Sequence, residues 1–463
     1  MAGPSSAGSR QTWSSNWTFI LAAIGAAVGL GNIWKFPYVV GVNGGGAFVI
    51  VYLVAVFLIA IPILIGELLI GRLGHRSPPV AVENVAAESG RSRSWSIVGW
   101  MGLIAGFLIA TYYSVIAGWT LAYILKAAGG FGGVAATEVA QQFELLQEDP
   151  VMMTAWHTLF ITIAMFIVAR GLNDGIERTV SFLMPALFVM MIVMIGYAAV
   201  AGDFGAGVEF LFNADFSKIN AETILIAIGQ AFFSIGVAMG LMMIYGAYVP
   251  DSVSLTRSAT IIAVADTLVA ILAGLMIFPL VFSNGLDPGE GPGLIFKTLP
   301  TAFASMPGGQ IFGALFFLLL AFAAVTSIIA LIEPMIAFAE DRWGMARRTG
   351  CIVFGVIAWA LGLGTVFSFN ALSDFAPLSA FRVFDGMTVY ALIDYFTANI
   401  MMPLGGILIA VFVGWMVKQE ILDEHLDFGS PLLAKTWRLL IRFIAPVGIL
   451  AVLVTSLNQG PAG

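Results

Sequence analysis

Eleven stretches of about twenty or more mostly apolar residues recur along this chain, each long enough to cross a bilayer as a helix. They lie near 16–38, 44–72, 96–127, 151–170, 177–201, 220–247, 256–284, 309–342, 350–370, 387–418 and 432–458. Several exceed the hydrocarbon thickness and must tilt or extend past it. Composition points the same way. The chain is 60% hydrophobic and only 10% charged, whereas a soluble domain carries roughly 25% charged residues. Segment 285–308 is rich in proline and glycine and is expected to be a connection holding a small helix. No soluble domain fits between the spans, so 1–463 reads as a single all-α integral membrane unit. Cys351 is the only cysteine, which excludes an internal disulfide.

Basic residues set the expected orientation. The start, MAGPSSAGSRQTWSSNW, is small and polar and lacks the basic start, apolar core and cleavage site of a signal peptide. It is expected to be a retained cytoplasmic tail. With that end inside, the outer segments hold only Lys126, Lys218, Lys297 and Arg382 of the 20 basic residues. Lys35 falls within a span, and the rest lie on the inner side. The expectation is a multi-pass protein of a bacterial-type inner membrane, with its C-terminus outside.

Two spans carry glycine-rich interruptions: GAAVGLGN at 25–32 in the first and FFSIGVAMG at 232–240 in the sixth. An offset of five spans suggests two five-helix repeats, about 12–201 and 220–418, each opening on a broken helix, with 432–458 added as an eleventh helix. Because five is odd, the second repeat runs inverted. Secondary transporters use this arrangement to bring unwound backbone to the bilayer midplane. Such backbone is tolerated there only where protein or a water-filled cavity satisfies it. Gly25 and Gly29, four apart, would also suit close helix packing. Asn32 and Ser234, beside the two glycine clusters, favour the transporter reading.

Other classes fit less well. A channel needs a continuous polar pore with rings of charge or carbonyls, and intramembrane charge is sparse here. For an enzyme, His75, His157 and His425 show no metal-ligand spacing, and Cys351 has no evident base.

The stretch WTFILAAIGAAVGLGNIWKFPYVVGVNGGGAF strongly resembles the first helix and following loop of the neurotransmitter:sodium symporter family, the LeuT-fold transporters. The resemblance continues through YYSVIAGWT (112–120), GQAFFSIGVAMG (229–240) and AVTSIIALIEPMIAFAED (324–341) and spans nearly the whole chain. Many members have twelve helices, while some bacterial amino-acid transporters of the family have the eleven expected here. The resemblance implies two sodium sites. The first would use the carbonyl of Ala27 and the side chains of Asn32, Ser234 and Asp266, completed by the substrate's carboxylate. The second would use the carbonyls of Gly25, Val28 and Ala323 with the hydroxyls of Thr326 and Ser327. Asp266 stands where most members have asparagine, and a mid-bilayer acid costs about 2.5–3.5 kcal/mol unless partnered. Chloride-dependent members hold the anion partly with a serine one turn later, where this chain has Ala270. Asp266 would therefore supply the negative charge, and no chloride is expected.

For the substrate, Gly29 replaces the aspartate that binds the ammonium in amine transporters. The amides of Leu30 and Gly31, at the start of a half-helix, suit a carboxylate, and the Tyr113 hydroxyl would join them. The ammonium would meet carbonyls near Ala26 and Phe233, with Ser327. Ala26, Leu30, Ile109, Phe233, Gly236, Met239 and Leu331 would line an apolar side-chain pocket, so a neutral hydrophobic amino acid is expected. Phe233 resembles the lid over the substrate. Lys35 and Asp394 resemble the outer charged gate, and Arg10 and Asp341 the inner one, with Trp13 and Tyr248 packing nearby. Gly175 and Pro185 match the spacing at which the fifth helix unwinds in relatives. The resemblance thus implies a sodium-coupled amino-acid symporter, with a non-transporting amino-acid sensor of the same fold as the alternative. Expected partners are a small-molecule amino acid and membrane lipid, with no nucleic acid; the oligomeric state is not legible from the chain.

Overall fold

The computed structural model describes residues 11–133, 135–289 and 293–459, and every regular element among them is helical. Among the described residues nine helices are long and apolar enough to cross a membrane: Gly46–Gly74, Arg93–Ala128, Pro150–Ala169, Leu172–Ala201, Leu255–Ser283, Gly309–Trp343, Arg347–Ser368, Val389–Met416 and Pro431–Leu457. A tenth span is a pair, Asn16–Ala27 and Gly31–Val42, bent by 50° at its break. The sixth expected span, 220–247, is not one helix. It consists of Ala221–Ile235 and Leu241–Ala247, each too short to cross alone. Segment 285–308 holds the expected small helix, Leu299–Ser305.

The helix ends follow local chemistry. Ser15 caps Asn16–Ala27 through a reciprocal capping box with Thr18. Asp149 accepts from the amides of Val151 and Met152 at the start of the fourth span. The fifth span departs from expectation. Residues Leu172–Glu177 form a wide π turn that runs directly into Arg178–Ala201, with Pro185 inside the helix, so the Gly175–Pro185 stretch is wound throughout.

The third and eighth spans form the centre. Of their most apolar stretches 83% and 78% is buried, against 17% for Pro431–Leu457, which therefore lies at the periphery. Small residues let the interrupted helices press into this centre. A side chain on Gly102 or Gly106 of the third span would stand 2.8 Å from the Gly240 nitrogen or 2.5 Å from the Met239 oxygen. Gly71 and Gly246 likewise let the second span meet Leu241–Ala247 backbone to backbone, since a Cβ on Gly71 would sit 1.9 Å from the Met243 oxygen.

Candidate functional site

The first break is short. Helix Asn16–Ala27 ends as Val28 turns to extended geometry (φ −69°, ψ 105°), and winding resumes at Gly31. The amides of Asn32 and Ile33 both donate to the Gly29 carbonyl. The break faces the eighth span, where the Ser327 hydroxyl donates to the carbonyls of Val28 (3.2 Å) and Gly25 (3.4 Å). Thr326, one residue earlier, bonds back to Ala323 at 3.0 Å. A side chain on Gly25 would touch Thr326 at 3.2 Å. The structure thus gathers Gly25, Val28, Ala323, Thr326 and Ser327 in one place, with only carbonyl and hydroxyl oxygens as polar groups.

Gly29 is needed for close approach. A Cβ there would lie 2.4 Å from Ser327 Oγ and 2.9 Å from the Tyr113 hydroxyl. The Leu30 amide donates to Tyr113 at 3.2 Å.

The second break is longer and held differently. Gly236, Ala238 and Gly240 all adopt left-handed backbone, with φ of 72°, 65° and 75°. Left-handed alanine costs roughly 1–2 kcal/mol, so the surroundings must hold it. The carboxylate of Glu67, fully buried in the second span, accepts from the Ala238 amide at 2.8 Å. Sequence reasoning missed Glu67, although an acid inside IPILIGELLIG is itself the signal that a buried group has a task.

Between the breaks, Asn32, Ser234 and Asp266 are all buried and joined. Asn32 Nδ2 donates to Asp266 Oδ1 at 2.7 Å and to Ser234 Oγ at 2.9 Å, and Ser234 donates to Asp266 Oδ2 at 2.7 Å. The Tyr52 hydroxyl donates to Ser234 at 3.2 Å, and the Gly29 amide to Asn32 Oδ1 at 3.2 Å. Among the described residues no basic side chain pairs with Asp266. Burying a carboxyl is costly unless it is hydrogen-bonded, and Asn32 and Ser234 supply those bonds.

Beside this cluster lies a cavity of about 40 Å³. Ala26, Ala27, Leu30, Gly31, Ile109, Tyr113, Phe233, Ser234, Gly236, Met239, Ser327 and Leu331 all line it, together with Gly29 and Leu241. Its lining is apolar except where Tyr113, Ser234 and Ser327 present hydroxyls. It is far smaller than the 300–1,000 Å³ of a ligand pocket.

The comparisons with known proteins agree with this geometry. The family model described as the sodium:neurotransmitter symporter family matches residues 10–130 and 141–462. The chain belongs to the sodium:neurotransmitter symporter family. It is 36% identical to an uncharacterized sodium-dependent transporter, YhdH, of Bacillus subtilis (strain 168), over 95% of this chain and 96% of that protein. It is 32% identical to an uncharacterized sodium-dependent transporter of Haemophilus influenzae, over 97% and 98% of the two chains. Among solved structures, MhsT in complex with L-phenylalanine is similar at TM-score 0.87 and 39% identity, covering 96% of this chain and 100% of that one. The protein is therefore a multi-pass, LeuT-fold, sodium-dependent transporter and not an enzyme.

Within this symporter fold the gate residues fall differently from expectation. Lys35 Nζ lies over the Phe233 ring, 4.2 Å from its centroid, and among the described residues it makes no ion pair with Asp394. Arg10 lies outside the described residues. Asp341 accepts from Arg76 at 3.0 Å and from the Ser77 amide at 2.6 Å. Trp13 is buried against Tyr245 and Tyr248, its indole donating to the Tyr245 carbonyl at 3.1 Å.

The same end of the bundle carries a network that sequence reasoning missed. Buried Glu333 accepts from the Tyr248 hydroxyl (2.7 Å) and from both terminal nitrogens of Arg347. Arg347 also reaches Glu340 and the Val168 carbonyl. Ser14 and Asn173 hold Glu177, tying the start of the first span to the fifth. His157 is a packing residue, bonded to Ser114 and the Trp359 carbonyl.

Proposed function

We propose that this transporter couples sodium entry to import of neutral hydrophobic L-amino acids by alternating access. The observation that carries the reading is the buried carboxyl of Asp266, without a basic partner among the described residues, bridged to both breaks and lying beside a cavity lined by Leu30 and Tyr113. The first sodium rests on Ala27, Asn32, Ser234 and Asp266, and the substrate's carboxylate completes its shell. The second rests on Gly25, Val28, Ala323, Thr326 and Ser327. All are hard oxygen donors, which suit a hard cation.

The substrate's carboxylate takes the amides of Leu30 and Gly31 and the Tyr113 hydroxyl, so the Leu30–Tyr113 contact opens to admit it. The ammonium meets the carbonyls of the breaks and Ser327. No charge lines the rest of the cavity, and a polar side chain would leave its hydrogen bonds unmade. The phenylalanine bound by MhsT supports the same class of substrate. Because one carboxylate touches both ion and protein, substrate and first sodium bind cooperatively and reciprocally. Asp266 carries the negative charge, with Ala270 one turn on, so transport runs without chloride. The N-terminus faces the cytoplasm, and the two five-span repeats about 12–201 and 220–418 rock against each other.

Proteoliposome uptake under an imposed sodium gradient, with each of the twenty amino acids as competitor, tests this. Accumulation of branched, sulfur-containing or aromatic substrates is expected, unchanged when gluconate replaces chloride. No accumulation of any amino acid overturns the symporter reading in favour of a sensor, and loss of uptake without chloride overturns the role given to Asp266.

A further inference from the structure

A second cavity lies away from the transport site. It is a groove of about 730 Å³ between the fourth span, Pro150–Ala169, and the ninth, Arg347–Ser368. Its walls are apolar and open outward: Phe166, Ile352 and Val356 are 59%, 68% and 58% exposed. Gly355 keeps it deep, since a Cβ there would press on Met165 at 3.0 Å.

The two ends differ. At one end stand Arg170 and Arg348, both exposed. Arg170 lies over the Phe166 ring at 4.4 Å, at the mouth of the groove. Among the described residues neither has a carboxylate partner, whereas neighbouring Arg347 is taken by Glu333 and Glu340. At the other end Trp359 donates to the Thr158 hydroxyl at 2.8 Å and closes the groove. From Arg348 to Trp359 the helix rises about 16 Å, close to the ~15 Å half-thickness of a bilayer's hydrocarbon core. The groove is therefore one leaflet deep, apolar along its length and doubly cationic at its head.

We propose that this groove binds a phospholipid with an anionic headgroup, its phosphate on Arg170 and Arg348 and one acyl chain lying along Met165, Ile352 and Val356. Arginine is suited to the phosphate because its planar fork donates to two oxygens at once. The Trp359–Thr158 contact sets the depth the chain reaches.

The test uses the full chain in phosphatidylcholine nanodiscs doped with phosphatidylglycerol that carries a diazirine on its acyl chain. Labelled peptides are mapped by mass spectrometry after photolysis. Label is expected on 161–166 and 351–356, and several-fold less from the same diazirine on phosphatidylcholine. The Arg170→Gln/Arg348→Gln pair is expected to lower phosphatidylglycerol labelling by roughly tenfold or more. Ile352→Trp, which fills the groove, is expected to remove labelling by either lipid. Equal labelling by the two lipids in the unmodified protein, or undiminished labelling of the double variant, overturns the proposal. So does an unlabelled groove cross-linked to a second copy of the chain. Should the double variant misfold, the lipid comparison and Ile352→Trp decide.

Discussion

The two interrupted helices stand five spans apart and face one another, yet their backbones are broken by different means. In the first, no residue of Val28–Gly31 has positive φ, and glycine serves closeness: Gly29 leaves room for Ser327 and Tyr113. In the sixth, glycine serves conformation: Gly236 and Gly240 are left-handed, and Ala238 between them is held left-handed with a bond from Glu67. The first break is thus a contact surface that a side chain would block, while the second is a strained loop that needs an external brace. The two meet at Asn32, Ser234 and Asp266, whose hydrogen bonds fix their spacing.

Six substitutions, taken in four steps, sharpen this contrast, from the largest effect to the smallest. Asn32→Ala or Asp266→Ala removes the junction itself. Hydrogen bonds to charged groups are worth about 1.5–3 kcal/mol, so sodium-dependent amino-acid binding is expected to fall by about tenfold to a hundredfold. Unaltered sodium dependence by scintillation proximity or calorimetry would mean the ion sits elsewhere.

Glu67→Ala comes next. It leaves the Ala238 amide buried without an acceptor, at about 1–3 kcal/mol. Expected are a lower Tm and a weaker affinity together, because the brace shapes the pocket wall. If Tm holds and affinity holds, the sixth-span loop stands unaided.

Gly29→Ala and Gly236→Ala then separate the two uses of glycine. At Gly29 the added methyl enters the space of Ser327 Oγ, so amino-acid affinity is expected to drop about tenfold or more while Tm changes little. At Gly236 the cost is left-handed strain of roughly 1–2 kcal/mol, read mainly as a lower Tm. A reversed pattern in paired melting and binding measurements would break the distinction.

Ala238→Gly is the mildest. Relieving left-handed alanine is expected to raise stability by up to about 1 kcal/mol, seen as a small increase in Tm. A decrease would show that the methyl's packing outweighs the strain.

Much of the fold was legible because lipid leaves the chain few choices. Backbone in hydrocarbon must satisfy itself, so long apolar runs become helices, and the two places that break this rule stood out as GAAVGLGN and FFSIGVAMG. Asp266 was readable as an acid needing partners, and the structure brings it Asn32 and Ser234. Other features escaped for physical reasons. The sixth-span break could be located from its glycines, but nothing in the residue type marks Ala238 as left-handed. The Arg76 and Ser77 contacts of Asp341 join residues more than 260 positions apart, and no local pattern encodes such a pair. Lys35 and Asp394 looked like a gate pair by analogy of position, and the contact of the ammonium with the Phe233 ring had no local signal in the sequence.

By itself the chain determined what each segment had to be. Apolar length made spans, and glycine clusters marked the breaks. Only the tertiary structure decided how distant groups share a site: Glu67 bracing the sixth span and Ser327 capping the first. Periodicity and composition are local properties that sequence carries directly. Hydrogen bonds between residues a hundred or more positions apart depend on how the helices pack, and that is settled only when their surfaces meet.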